Sequence, residues 1–146
     1  MKIKLKKLKE EAKLPTAGSA LAAGYDLYAC MEETKLVLAP HATAMVGTGV
    51  AVAIPEGYFG GIFARSGLAA KQNLRPANCV GVVDADYRGE IKVALHNDSE
   101  EERRISQGER IAQLVVIPHL TLEFEQVEEL DETQRGDGGF GHTGAK

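Results

Sequence analysis

The chain has 146 residues, 44% hydrophobic and 26% charged, with a formal net charge of −4. That is enough to bury one proper core and sets wholesale disorder aside, while the acidic balance argues against bulk nucleic-acid binding, which needs a basic footprint. There is no run of about 18 apolar residues, so no segment reads as a membrane span, and the first residues, MKIKLKKLKEEAK, lack the apolar stretch of a secretory leader.

In chain order the hydrophobic period is mostly two. Ile3 and Leu5 alternate with lysines, an edge strand whose charges also discourage edge-to-edge association. TKLVL (34–38), TAMVGTGVAVAIP (43–55), GYFGGIFA (57–64), EIKVALHN (90–97), RIAQLVVIP (110–118) and LTLEFEQV (120–127) all read as strands. Pro15, Pro40, Pro55, Pro76 and Pro118 fall at strand ends or in loops. Only SGLAAKQ (66–72) reads as a helix, with Ser66 as its N-cap. The fold class expected is all-β, a jelly-roll-like sandwich or barrel with one short helix and a Gly-rich C-terminal tail. Charge is uneven, with six lysines in residues 2–13 and six acids in residues 123–132, and both read first as solvated faces. Cys30 and Cys79 form no CxxC pair and read as reduced, buried thiols of a cytoplasmic protein.

Five segments break the strand pattern by combining glycine with polar or charged groups: AGYDL (23–27), ARSGLAAK (64–71), GVVDADYRGE (81–90), GERIAQL (108–114) and RGDGGFGHTG (135–144). In ARSGLAAK, a Ser-Gly pair opening a helix offers orphan amides and a hydroxyl beside the Arg65 guanidinium, which is the chemistry of a phosphate seat. An ordinary helix start with a surface arginine reads equally well. GVVDADYRGE reads as a hairpin tip between a strand ending at Val83 and one beginning near Glu90. If the tip is extended, Asp84 and Asp86 share a side, where two carboxylates can act as base or metal ligand; alternatively Asp-Ala-Asp only turns the chain. The four histidines have no metal-ligand spacing, and neither a P-loop nor GxSxG is present.

In this order and spacing the five segments resemble the five motifs of the trimeric dUTPase family, from Ala23 to Gly144, with GVVDADYRG and RGDGGFGHTG the most specific. The resemblance implies a β domain over residues 1–130, a lid over residues 131–146, and a homotrimer whose three sites are each built from all three chains. It implies conversion of dUTP and water to dUMP and pyrophosphate, with Mg²⁺ on the triphosphate, an activity that limits uracil incorporation into DNA and supplies dUMP for dTMP synthesis. By the family pattern Asp84 activates the attacking water, Asn78 reads uracil and Tyr87 packs under the deoxyribose. Arg65, Ser66, Gly67 and Gln113 hold phosphates, and Asp26 holds Mg²⁺ indirectly, through water. Arg135, Gly141 and Thr143 contact the substrate from the tail, and Phe140 covers the base. His142 departs from the family's usual Ser, and Asp137 brings a negative charge close to the triphosphate. The rival of the same fold, dCTP deaminase, would show Arg-Ser-Ser where this chain has Arg65-Ser66-Gly67. The RGD triplet at 135–137 reads as chance in a chain without a secretion signal. Nucleus and organelle stay open beside the cytoplasm. So many tail glycines cost about 1–2 kcal/mol each to order, so the tail is expected to be mobile without nucleotide and ordered with it.

Overall fold

The structure, a computed structural model, describes residues 1–141 and Gly144. Along the chain lie β1 (Lys4–Lys7), β2 (Thr16–Ala17), β3 (Tyr25–Tyr28), β4 (Lys35–Leu38), β5 (Thr43–Gly47), β6 (Val50–Ala53) and β7 (Tyr58–Phe63). Then follow α1 (Ser66–Gln72), β8 (Leu74–Pro76), β9 (Gly81–Val83), β10 (Lys92–Asn97), β11 (Arg103–Ser106) and β12 (Arg110–Pro118). The fold is the expected all-β, jelly-roll-like one. Its largest sheet has the order β2-β3-β12-β7-β9, and smaller sheets pair β5-β10-β8, β11-β4 and β1-β6, all antiparallel. Inward-facing apolar side chains from these sheets meet in one core, with Leu27, Leu38, Val46, Ile62, Leu95 and Ile111 among its members. Leu68 is the buried residue of α1 and docks the helix onto that core. Among the described residues no helix is long and apolar enough to cross a membrane.

Several sequence expectations need correction. The run 43–55 is two strands, not one. At Gly49 the backbone turns into the left-handed region (φ 68°), and a Cβ there would sit 2.7 Å from Ala12 Cβ and 2.8 Å from Cys30 Sγ. The chain therefore leaves one sheet and enters another. Residues 81–90 are not a two-stranded hairpin: β9 pairs with β7, while β10 starts at Lys92 and pairs with β5 and β8. Ser66 is not the N-cap; Arg65 holds that position in extended geometry, with no side-chain cap hydrogen bond. Cys79 is exposed rather than buried. Residues 120–127 form no strand, because no strand of the same chain lies beside them, and Leu120, Leu122 and Phe124 are exposed. Short strands β2, β3, β8 and β11 escaped the periodicity because two to four residues carry too little pattern.

One polar group is fixed deep in this core. Asn97 is fully buried at the end of β10. Its Nδ2 donates to the carbonyls of Leu38, Ala39 and Glu101, and its Oδ1 accepts from the Ser99 amide and hydroxyl. Removing the side chain strands several buried groups at once. Asn97→Ala should cost about 3 kcal/mol or more in urea unfolding. Asn97→Asp should be no better, since a carboxylate would face three carbonyl oxygens.

Candidate active site

The register of β12 gathers the first group of sequence-predicted residues. Gln113 lies opposite Asp26 on β3 and opposite Phe63 on β7. Its Nε2 donates to the Ala64 carbonyl at 2.9 Å, pinning the strand end just before Arg65. Asp26, half-buried, accepts from Arg65 Nε at 2.8 Å through Oδ1 and from Arg110 Nη1 at 3.2 Å through Oδ2. Ser66 and Gly67 are exposed at the first turn of α1 beside this cluster. Asp26, Arg65, Ser66, Gly67 and Gln113 are thus brought together.

Arg110 was missed as a site residue. Residues 110 and 113 have opposite parity, so an ideal strand sends them to opposite faces. The pairing of β12 with β3 carries a bulge between Arg110 and Ala112, which sets Arg110 opposite Tyr28, two residues from Asp26 on the same face. The GERIAQL segment was the available signal, but only tertiary pairing revealed the bulge.

A second group lines a cleft of about 290 Å³, walled by Ile62, Asn78, Gly81, Asp84, Tyr87 and Ile91. Residues 84–87 form a turn, with the Tyr87 amide on the Asp84 carbonyl at 3.2 Å. The segment is therefore not extended, and Asp84 lines the cleft without Asp86. Arg88 Nη1 braces the turn through the Ala85 and Tyr87 carbonyls. Tyr87 donates its hydroxyl to the Glu90 carbonyl at 3.0 Å, and the Glu90 carboxylate accepts the Gly49 amide at 2.8 Å. Tyr87 lies directly over Gly89, where a Cβ would collide with the phenol.

The tail makes its own local turns. Arg135 Nε donates to the Gly138 carbonyl at 2.7 Å, and the Gly136 amide reaches Thr133. Phe140 is fully exposed, and both it and Gly141 have positive φ (46° and 85°). Among the described residues, no hydrogen bond joins Arg135, Phe140 or Gly141 to either group. Thr143 and His142 lie outside the described residues. Among the described residues, no group of three His, Cys, Asp or Glu side chains is arranged to hold a metal ion.

The sequence model of the dUTPase family matches residues 10–144. The chain belongs to the dUTPase family. It is 48% identical over 146 residues, all of both chains, to the deoxyuridine 5'-triphosphate nucleotidohydrolase of Hydrogenobaculum sp.. It is 46% identical over 136 residues to the Candida albicans enzyme of the same name, covering 92% of this chain and 82% of that one. Among solved structures it resembles the dUTPase of Staphylococcus bacteriophage 80alpha with dUPNHPP, at a TM-score of 0.91 and 34% identity, over 99% of each chain. In this chain Gly89 leaves room for the Tyr87 ring, whose hydroxyl and Cζ would meet a Cβ there. Gly89→Ala should drive Tyr87 off the Glu90 carbonyl, visible as a rotated ring in a crystal structure, at about 1 kcal/mol in urea unfolding.

Proposed function

We propose that this protein hydrolyses dUTP to dUMP and pyrophosphate. The observation that carries the reading is the meeting of Asn78, Asp84 and Tyr87 in one cleft, in a chain matched to the dUTPase family over residues 10–144. Asn78 carries an amide whose donor and acceptor can answer the O4 and N3–H of uracil together. Cytosine, with a 4-amino donor and an unprotonated N3, reverses both of those bonds, and a C5 methyl meets the walls, so the two are rejected by unpaired polar groups or by contact. Tyr87, held by the Glu90 carbonyl, closes the floor where a 2'-hydroxyl would have to sit.

Asp84 is exposed at the cleft mouth, where it takes the proton of a water attacking the α-phosphorus. The new P–O bond forms as the bond to the oxygen bridging the α- and β-phosphorus breaks, and pyrophosphate leaves. The donor set suits Mg²⁺ in one way. Asp26 is a hard oxygen donor, and its two oxygens already face Arg65 and Arg110, which favours contact with the ion through bound water over direct ligation. When bound, the ion neutralises charge on the triphosphate. Arg65, the exposed amides of Ser66 and Gly67, and Gln113 take the phosphate oxygens, while Arg135, Gly141 and Thr143 close from the tail and Phe140 stacks on the base. The same reading makes residues 131–146 a lid on the β domain of residues 1–130, and assigns the protein a role in keeping uracil out of DNA and supplying dUMP. Both cysteines are free, in keeping with the reducing cytoplasm.

The same reading makes the protein a homotrimer with sites shared between copies, and two features of the layout support association. Asp84 comes after Val83, which pairs with Gly60, whereas Arg65 and Ser66 come after Phe63 at the far end of the same strand. Gly60 to Phe63 alone spans roughly 10 Å. In this reading each site takes its base end from one copy and its phosphate end from another. Leu120, Leu122, Phe124 and Leu130 are also exposed in an acidic segment, an apolar row that needs a neighbour. The basic β1 edge, beside a groove of about 460 Å³ lined by Ile3, Leu5, Tyr25 and Val116, offers matching charge and apolar surface.

Pyrophosphate release should be fast for dUTP and weak for dTTP, dCTP and UTP; equal turnover of all four would sink the reading. Asp84→Asn should lower kcat at least about a hundredfold without unfolding the protein. Co-refolding Asp84→Asn chains with Arg65→Ala chains should give activity above either parent, because some shared sites then hold both intact residues. No recovery would exclude sites built between copies. Deleting residues 135–146 should abolish most turnover and leave the oligomer intact, as read by light scattering.

A further inference from the structure

Asn78 sits in a loop with little holding it. Residues 77–80 are all exposed, and Cys79 within it adopts a left-handed backbone (φ 62°) that a non-glycine residue rarely takes. The main-chain bonds there are the Ala77 amide to the Ala94 carbonyl, the Cys79 amide to the Pro76 carbonyl and the Val80 amide to the Asn78 carbonyl. A strained conformation of this kind persists only where its surroundings over-determine it.

The further constraint comes from Arg75 on β8. Its Nε and Nη2 fork onto the two oxygens of Asp98, at 2.5 and 3.1 Å. That grip turns Nη1 toward the loop, where it donates to the Pro76 carbonyl at 3.0 Å and the Ala77 carbonyl at 3.3 Å and lies 3.9 Å from Cys79 Sγ. Asp98 is itself fixed. Its amide donates to the carbonyl of Asn73, the left-handed cap of α1, and its carboxylate lies 3.3 Å from His96 Nε2, whose Nδ1 meets the Thr43 hydroxyl at 2.8 Å. The Arg75 hydrogen bonds hold the Asp98 carboxyl below the usual carboxylate range, and Asp98 in turn raises the Arg75 guanidinium above its ordinary value. Both groups therefore stay charged at neutral pH.

We propose that Arg75 is a positioning residue for base recognition: anchored by Asp98, its third nitrogen clasps the 76–79 loop and holds Asn78 facing the cleft. The inference rests on the reading that Asn78 recognises the base. It also requires a planar fork, since a lysine ammonium cannot grip both carboxylate oxygens and still reach two carbonyls on the far side.

The test compares Arg75→Ala, Arg75→Lys, Asp98→Asn and Asn78→Ala, measuring kcat and KM for dUTP and dCTP together with thermal stability. Arg75→Ala and Arg75→Lys should each raise KM for dUTP and lower the dUTP-over-dCTP ratio of kcat/KM by roughly tenfold, with kcat close to wild type because Asp84 is untouched. Asp98→Asn should move the same ratio in the same direction by less. A purely structural role would lower the melting temperature and total activity while leaving the ratio alone, and that result overturns the proposal. So does an unchanged ratio in both Arg75 variants when Asn78→Ala loses it. If Asn78→Ala keeps the ratio, the assignment of Asn78 to the base fails and the clasp fails with it; the dUTP hydrolysis itself is judged separately by wild-type turnover.

Discussion

The register of β12 against β3 and β7 is the constraint on which the rest of this molecule depends. The strand is nine residues long; its first half pairs with β3 and its second half with β7, and Gln113 and Leu114 are paired on both sides. Ile111, Ala112 and Leu114 are buried along it, and sliding the strand by one residue would turn that apolar set away from the core. The register thus held by packing also sets Gln113 between Asp26 and the end of β7, and through Ala64 it fixes where Arg65 and α1 begin. Core energetics and site geometry are the same set of contacts at this point.

From there the chemistry divides along β7. Arginine, amides and carboxylate cluster at one end, and a cleft with a carboxylate at its mouth lies along the strand that pairs near the other. Each half is internally ordered by its own polar contacts, and the proposed substrate is a single molecule long enough to need both kinds of surface. The exposed apolar side chains of residues 120–130 and the freely projecting Phe140 belong to the same picture, because a chain alone gives them nothing to bury against. Association and function are therefore proposed as one requirement.

Small polar fixtures hold the loops that the sheets do not. Asn97 ties the ends of β10 and β4 to the loop at Ser99 and Glu101. Glu90 and Tyr87 tie the Asp84 turn back to Gly49. Arg75 ties the Asn78 loop to Asp98. The buried fixture contributes to stability, while the Arg75–Asp98 pair at the surface is proposed to act mainly on where a side chain points, since exposed charge pairs add little to folding free energy.

The sequence by itself determined the all-β class, the long strands and the short helix, because alternation, proline and glycine act locally and leave a record in residue order. It also carried the five motifs, hence the family, and named Arg65, Ser66, Gly67 and Gln113 beside Asp26, though not Arg110, and Asn78 and Tyr87 beside Asp84. Tertiary structure alone decided the rest. The break at Gly49, the separation of β9 from β10, and the bulge that turns Arg110 toward Asp26 depend on which strand lies beside which, and pairing partners far apart in sequence leave no local period. The segment 120–127 shows the same limit from the other side. Its alternation is that of a strand, yet a segment with no neighbouring strand for its amides and carbonyls forms none and stays exposed.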